Sequence, residues 1–465
     1  MYHIIEKVMN NKKIKLNETF NNAQIIKKII ESDSCCGCGA CILFDKSDKS
    51  KMIDTNKGPI PQFNHDSKLA KEINDICPSV GLNYPKLYKY FYGKYPNNWL
   101  IGEIENIRTG FSNSPKIRKS SASGGVITEV LIYLLEEKIV DAVIIAKQGI
   151  PFPEKARAFI ATKKEEIIEC SQSIYIPVSM LDILKKLDDS KKYAITCLPE
   201  QSSALRAMQQ KKYKPALQIK YILGPYTGTA LYPEAIRTYL RSKKIKDNDE
   251  IKSLKWRAGD WPGYLEIKTK SGKILRTPKI YYNYLIPFFI TKTSLQSMDF
   301  ANEFADLAVG DAWSPKFESK GGGHSVVVTR TKNMEKIISQ MNKKNILCLK
   351  QEESLKASDM HGHMLDFKKR GSYIRNLLNK KVGKYAPDYG YRPLKISLYR
   401  VLIELIIITI FFIGQTRIAR YLLVQCPEFL IGPLFNKLRL FWKKISRPTK
   451  RKGLGEYKVK IDNFK

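Results

Sequence analysis

From Ala122 onward the apolar positions fall into blocks that switch between two periods. Val126–Glu136 repeats apolar residues at helical spacing, and the β-branched run Val140–Ala146 follows after a short polar break. Tyr193–Cys197 reads as a short strand, Gln201–Gln210 as a helix and Gln218–Leu223 as another strand, with further strands at Leu265–Thr269 and Ser325–Thr331. Strands alternating with helices predict an α/β fold, mixed with α+β features. The alternation ends near residue 375, and no repeat at a solenoid period runs through it.

The flanks follow other patterns. Residues 1 to about 33 read as a basic helical lead-in, and Tyr84–Asn97 is a Pro-rich stretch. Between them Cys35–Cys77 is rich in Asp, Lys, Gly and Pro with little apolar periodicity, so it needs a cofactor to hold it. Near the other end Leu405–Ile413 is apolar but shorter than the roughly 20 residues that span a bilayer. Basic residues then gather at Lys437, Arg439, Lys443, Lys444, Arg447, Lys450, Arg451 and Lys452, with Phe441 and Trp442 among them. That pattern suits an anionic membrane surface; it equally suits a buried helix followed by a solvated tail. Three regions are expected: an N-terminal cysteine-bearing segment at 1–95, a central α/β domain at 96–375, and a helical basic region at 376–465.

Length and charge narrow the function. At 465 residues the chain exceeds what one core usually serves. Its 80 Lys and Arg against 45 Asp and Glu leave +35, a field that attracts phosphorylated cofactors, acidic electron-transfer partners or anionic surfaces. AT-biased coding, which enriches Lys, Ile and Asn, produces the same excess. No helix-turn-helix, RNA-recognition motif or paired zinc-finger spacing supports nucleic-acid binding, and none is expected. The first residues lack the apolar core and small-residue cleavage site of a secretory signal, so a reducing, cytoplasmic setting is expected, with peripheral membrane contact as an extension.

Of nine cysteines, five precede residue 78 and four of those lie within seven positions. Cys35-Cys36-Gly37-Cys38-Gly39-Ala40-Cys41 contains C-x2-C-x2-C, in which three thiolates on a glycine-relieved loop each reach a different iron of one cubane. The bacterial ferredoxin run has its fourth cysteine three residues later, where this chain has Asp45. Cys77-Pro78 is the next donor, which assigns Cys35, Cys38, Cys41 and Cys77 to one [4Fe–4S] cluster and leaves Cys36 spare. Zinc is the competing metal, and its sites usually come as two separated C-x2-C pairs. Cys170, Cys197, Cys348 and Cys426 stand singly and read as small buried residues.

Ser120-Ser121-Ala122-Ser123-Gly124-Gly125 before a helix places backbone and hydroxyl donors where a phosphate binds; the same turn is also an ordinary N-cap. With CCGCGAC and a later CP, with SASGGVITEVLIYLLEEKIVDAV, WRAGDWPGYLEIKTKSGK, and with NEFADLAVGDAW followed by GGGHSVVVTRT, the chain resembles the coenzyme F420 hydrogenase/dehydrogenase β-subunit family. Chlorophyllide-type reductases with flavin and iron–sulfur centres also belong to that family. The resemblance covers residues from about 33 to 335. It implies FAD in the central domain, an N-terminal cluster within electron-tunnelling reach, and two-electron exchange with an organic acceptor. It carries Ser121, Ser123, Gly124, Gly125 and Thr128 over to the flavin phosphates, and Asn302, Asp306, Gly310 and Asp311 to a second wall.

A ferredoxin-like donor protein or a reduced deazaflavin is the expected redox partner, with a small-molecule acceptor. Where many family members carry further cysteines, this chain has Glu200, Thr227, Ser294 and Ser297. Oxygen ligands serve such a cluster poorly, so one cluster is expected, not two. Loss of that set also fits a non-catalytic electron-transfer subunit or scaffold. No His falls in a recognised motif; His324, beside three glycines, is a candidate proton donor, against which a structural role weighs more heavily.

Overall fold

The computed structural model describes residues 22–45, 49–63, 72–246, 250–279 and 283–462, so the first two-thirds of the basic lead-in lie outside the described residues. What remains of it is a helix, Asn22–Glu31. A hairpin, β1 (Lys51–Thr55) and β2 (Gly58–Gln62), follows the cysteine loop. The main sheet takes β3 (Asn106–Ser112), β4 (Ala142–Gln148), β5 (Ala156–Ala161), β6 (Tyr193–Thr196) and β7 (Ile219–Pro225). A separate antiparallel sheet is formed by β8 (Ile251–Ala258), β9 (Tyr264–Thr269) and β10 (Ile274–Pro278). The main sheet is completed by β11 (Leu307–Asp311), β12 (Ser325–Thr329) and β13 (Leu347–Gln351), and a last pair, β14 (Tyr391–Pro393) and β15 (Val459–Ile461), closes the chain.

The eight strands of the main sheet run in the order β13-β3-β12-β11-β7-β6-β4-β5. The four in the middle, β11, β7, β6 and β4, are parallel, and the pairings outside them are antiparallel. Side chains alternate faces as strand geometry requires. Ala142, Ile144, Tyr193, Ile195 and Ile222 pack on one face with the Pro199–Gln210 helix. Val143, Ile145, Ala194 and Leu223 pack on the other with the Val126–Glu136 helix. Burial on both faces explains the unbroken apolar runs of the inner strands. The first of these cores also holds Cys38 and Leu43 from before residue 95, and Tyr389 and Tyr391 from beyond residue 375, so it runs across both expected boundaries.

Several elements differ from the sequence reading. The Pro-rich stretch at 84–97 contains a helix, Tyr84–Tyr92, because Pro85 sits in the first turn where no N–H is needed. Asn83 Oδ1 caps it by accepting from Lys86 N at 2.9 Å, and Gly93, at φ +70°, ends it. Strand β3 is not expected from the sequence, since Asn106 and Arg108 break its apolar pattern; both donate to Glu335, and Arg108 does so with two nitrogens. Leu265–Thr269 is a strand, but of the small sheet rather than the large one.

At the far end, Leu398–Gly414 packs beside Ser372–Lys381, Glu428–Arg451 beside Ser354–Asp366, and Arg417–Gln425 beside Glu234–Ser242. They bury charge: Arg400 Nε lies 2.7 Å from Asp366 and its Nη1 2.7 Å from Glu404, which also pairs with Arg375. Among the described residues no single helix is long and apolar enough to cross a membrane; the first two C-terminal helices pass that test only jointly, across a 71° bend.

Candidate functional site

Two features dominate, a cysteine loop and a large cavity, and they share a wall. In the loop, Gly37 and Gly39 have φ of +67° and +85°. A Cβ on Gly37 would lie 2.6 Å from Pro59 O, and one on Gly39 would lie 2.5 Å from Ser179 Oγ and 2.8 Å from Asp182 N. The β1–β2 hairpin and the 178–182 segment thus press the loop from two sides and admit only glycine there.

The sulfurs are gathered in apolar surroundings. Cys35, Cys41 and Cys77 pack against Ile25, Ile26, Ile29 and Ile73, while Cys38 belongs to the core beneath the sheet. Burial and then the charges of Cys36, Cys41 and Cys77 push the Cys35 thiol up; burial and Cys77 raise Cys41; burial and Cys36 bring Cys77 to about 12. A hydrogen bond between Cys36 and Cys38 raises Cys38 and lowers Cys36. Thiols this close in a dry site favour binding a cation over remaining together as free thiolates. Among the described residues no three His, Cys, Asp or Glu converge on a point that would suit a single ion. A mononuclear site needs all its donors about 2.0–2.3 Å from one atom, whereas a cubane gives each thiolate its own iron and spreads them wider. The donor set and the glycine-relieved loop fit a cubane. Cys36 N–H donates to Ser79 Oγ at 3.1 Å, and Cys36 packs against the sheet-side core with Cys38.

The cavity, about 1870 Å³, lies between the main sheet, the small sheet and the C-terminal helices. That exceeds the roughly 300–1,000 Å³ of a typical single-ligand pocket. Ser121, Ser123, Gly125, Thr128, Gly310 and Asp311, all read from the sequence, line it. Gly125, at φ +75°, opens the Val126–Glu136 helix, whose free N–H groups face an incoming anion. Ser121 Oγ, Trp261 Nε1 and His361 Nε2 are buried at the cavity without hydrogen-bond partners, which is the condition of a site built for a polar ligand. A Cβ on Gly310 would meet the Tyr226 ring at 2.5 Å and His361 Nε2 at 3.1 Å, so this strand position keeps the cavity open. These features fit a large phosphorylated cofactor such as FAD.

Three sequence-derived residues are not in the lining. Gly124 N–H donates to Ser325 Oγ at 3.2 Å, and its missing Cβ makes room for Gly110 O; it positions the turn. Asn302, at φ +56°, donates from Nδ2 to Cys197 O at 2.7 Å. Asp306 accepts from Ile222 N at 2.8 Å and pairs with Arg206 at 2.9 Å. Asn302 and Asp306 therefore bolt β11 to β7 and to the Pro199–Gln210 helix and form no second cavity wall. His324 is outside the lining too, wedged between the rings of Phe111 and Phe317, 5.1 and 5.0 Å away.

The side chains the sequence reading passed over come from the small sheet and from beyond residue 350. Arg257 Nη1 lies 2.9 Å and Lys279 Nζ 3.9 Å from Asp311 Oδ2. Burial alone would raise the Asp311 carboxyl, but Arg257, Lys279 and a hydrogen bond from Ser123 hold it below its ordinary value. Trp261 and Trp313 lie against each other at the same mouth, centroids 4.7 Å apart and planes tilted by 40°. Burial pushes His361 down to about 4, and its ring bonds the backbone of Asp311, so near neutral pH it is an uncharged imidazole with Nε2 turned toward the cavity. Arg257 and Trp261 stand within the quoted WRAGDWPG block; His361 has no local motif, and only the packing of the Ser354–Asp366 helix brings it here.

Val178–Asp182 is the shared wall. Val178 and Met180 line the cavity. Ser179 and Asp182 press on Gly39, and Leu181 N donates to Cys38 O at 2.9 Å. One backbone thickness separates the cysteine loop from the cavity. Beside it lie the positions without thiols: Tyr389 is close to Ser297 and senses the charges of Glu200 and Cys36, and Ser294 Oγ accepts from Ala230 N at 2.9 Å, three residues from Thr227.

Comparison with known proteins places this geometry. The family described as the coenzyme F420 hydrogenase/dehydrogenase beta subunit matches in two parts, its N-terminal part over residues 107–185 and its C-terminal part over residues 190–354. A coenzyme F420-dependent sulfite reductase of Methanocaldococcus jannaschii is 24% identical over 359 residues, 71% of this chain and 50% of that protein. The chain thus spans half the length of that relative. A coenzyme F420 hydrogenase subunit beta of Methanothermobacter thermautotrophicus is 22% identical over 268 residues, 55% of this chain and 88% of its own. The F420-reducing [NiFe] hydrogenase complex from Methanosarcina barkeri contains a chain 18% identical, with a TM-score of 0.47, covering 60% of this chain and 94% of that one. The two matched segments meet across the strands that build the cavity, and the chain belongs to the coenzyme F420 hydrogenase/dehydrogenase beta-subunit family.

Proposed function

We propose that this chain is a flavin-dependent iron–sulfur oxidoreductase. In this reading Cys35, Cys38, Cys41 and Cys77 hold one [4Fe–4S] cluster. FAD occupies the cavity with its phosphates toward Ser121, Ser123, Gly125, Thr128 and the start of the Val126–Glu136 helix. Bound there, the flavin would supply exchange between one-electron and two-electron steps. A ferredoxin-like protein or a reduced deazaflavin is the redox partner, and a small organic molecule the acceptor, in the cytoplasm.

The carrying observation is the shared wall: Val178 and Met180 face the cavity while Ser179, Leu181 and Asp182 touch the loop that bears the cysteines. The residues around it have separable tasks. Arg257 and Lys279 keep Asp311 ionised, which fixes a negative charge at the end of β11. His361 Nε2, an unprotonated acceptor in a dry site, can accept a hydrogen bond from a bound molecule. The Trp261–Trp313 pair excludes water from the mouth. Relatives named as a coenzyme F420 hydrogenase subunit beta and a coenzyme F420-dependent sulfite reductase support redox work of this class.

Anaerobic purification with iron supplied tests the reading. About four iron and four acid-labile sulfide per chain with a bound flavin spectrum is the expected result. About eight iron would overturn the single cluster, and stoichiometric zinc without sulfide the cluster itself. A cluster without flavin would support a second reading, an electron-transfer subunit, which the thiol-free positions Glu200, Thr227, Ser294 and Ser297 favour.

A further inference from the structure

The three C-terminal helices are built inside out. On Glu428–Arg451, Leu430, Leu434, Leu438, Phe441 and Ile445 recur at helical spacing, and all are exposed. Leu398–Gly414 exposes Tyr399, Leu402, Ile406, Ile410 and Ile413 in the same rhythm, and Arg417–Gln425 exposes Ile418, Tyr421 and Leu422. Phe412 and Phe429 are 74% and 75% exposed. An apolar face spread over three helices exceeds what a lone soluble chain usually shows to water.

The opposite edge of the last helix carries charge. Arg439, Lys443, Arg447 and Lys450 follow at intervals of four, four and three residues, so they form one ridge, and all four line the cavity. Among the described residues none of the four is in an ion pair. Glu318 is the acid that faces Lys443, and the acids near Lys450, Asp366 and Glu404, are already taken by Arg370, Arg400 and Arg375. Burial, and then repulsion from its basic neighbours, lowers Lys443; burial and Arg400 bring Lys450 to about 8. Arg439 Nε is buried without a partner. Between the ridge and the outer face the cavity reaches the surface, because Ile410, Ile413, Leu422, Leu434, Leu438 and Phe441 both line it and are exposed.

We propose that these helices rest in the surface of an anionic bilayer and that the outer part of the cavity takes an anionic phospholipid from it, phosphate on the Arg439–Lys443–Arg447–Lys450 ridge and chains among the apolar side chains of the mouth. Charge selects this occupant. Residues 398–452 carry eleven basic and two acidic residues, and Arg417, Lys437, Lys444 and Arg447 are exposed beside the apolar stripes. A second copy of the chain would bring like charges face to face, whereas an anionic surface attracts each exposed Lys or Arg while the apolar stripe enters the headgroup region. The proposal is independent of the cluster and flavin assignments, since binding is read without activity.

Flotation of the full chain, purified anaerobically, with phosphatidylcholine vesicles with or without phosphatidylglycerol tests it. The chain is expected to float with the phosphatidylglycerol vesicles and to bind them roughly tenfold or more better than phosphatidylcholine alone. The triple variant F412E/I418E/F429E, at exposed positions outside the cavity lining, is expected to remain in the sedimenting fraction with unchanged circular dichroism. Lys443→Gln with Arg447→Gln is expected to cut the preference for phosphatidylglycerol roughly tenfold while weak binding to phosphatidylcholine persists. Native mass spectrometry of the detergent-released chain should then show a phosphatidylglycerol adduct that the ridge variant lacks. Equal binding to both vesicles overturns the headgroup site, as does displacement of the adduct by inorganic phosphate alone. Absence of flotation, or a dimer in light scattering that hides the apolar face, overturns the membrane contact.

Discussion

The central sheet and the C-terminal helices solve burial in opposite ways. In the sheet, Val and Ile fill both faces, and Ser325–Thr329 is buried along its whole length. On the C-terminal helices, Arg400 and Glu404 are inside, against Asp366 and Arg375 of the neighbouring helices, while many Leu, Ile and Phe point out. The sheet derives its stability from removing apolar area from water. The helices add to a smaller apolar contact, Ile403, Ile407 and Leu423, charge pairs that must be complete, because a buried charge without its partner costs far more than the intact pair gains. An apolar interior and a charged one therefore fail differently under mutation.

The sharpest break is Glu404→Ala, which leaves Arg375 and Arg400 buried without their shared carboxylate. A loss of about 3–5 kcal/mol is expected in denaturant melts, and Glu404→Gln should recover little of it. In the sheet core, Leu205→Ala is expected to cost about 2–5 kcal/mol through the cavity it leaves. A cost below about 1 kcal/mol for Glu404→Ala would break the contrast between the two interiors. Gly310→Ala presses on the Tyr226 ring and His361; a stability loss of about 1–3 kcal/mol with a clear drop in bound flavin is expected, whereas a stable variant with its full flavin content would move the cofactor elsewhere.

The pH response sharpens the picture at the sheet's edge. Burial raises the Glu335 carboxyl, but hydrogen bonds from Arg108, Thr329 and Ser339 overcome it and bring it to about 2, below its ordinary 4.5. A depressed carboxyl contributes stability that is complete above 4.5 and disappears as pH falls toward 2. Glu335→Gln should accordingly lower stability at neutral pH and approach the unsubstituted chain as pH falls toward 2, which flattens the acid limb in that window. The smallest effect belongs to the outward face: Phe412→Ser is expected to alter stability in water by no more than about 0.5 kcal/mol, since the ring has nothing to pack against.

How much of this is legible in advance depends on whether a residue's role is local. The inner strands and the two long helices that sandwich them announce themselves through period, because alternation and helical spacing are properties of neighbours in sequence. The glycines of the cysteine loop and of the Ser121–Gly125 turn are legible for the same reason. Strand β3 is not, because its polar residues are satisfied by Glu335, more than two hundred positions away. Asn302 and Asp306 share a motif with Gly310 and Asp311 yet turn inward to hold strands, and a motif does not say which way its side chains face. His361 and the basic ridge reach the cavity through the packing of distant helices, which no window of sequence contains.

The short ladder between β14 and β15 has one more consequence. Leu394 N donates to Lys458 O at 2.9 Å, so the chain leaves for the three helices and returns at nearly the same point. An excursion whose ends already touch can be lengthened, shortened or removed by a single cut and join, with no strand re-threaded and little loop-closure entropy at stake. The sheet and its outer wall are thereby joined at one point along the chain, and the pairs of Arg400 with Asp366 and Glu404 with Arg375 hold the rest of the contact.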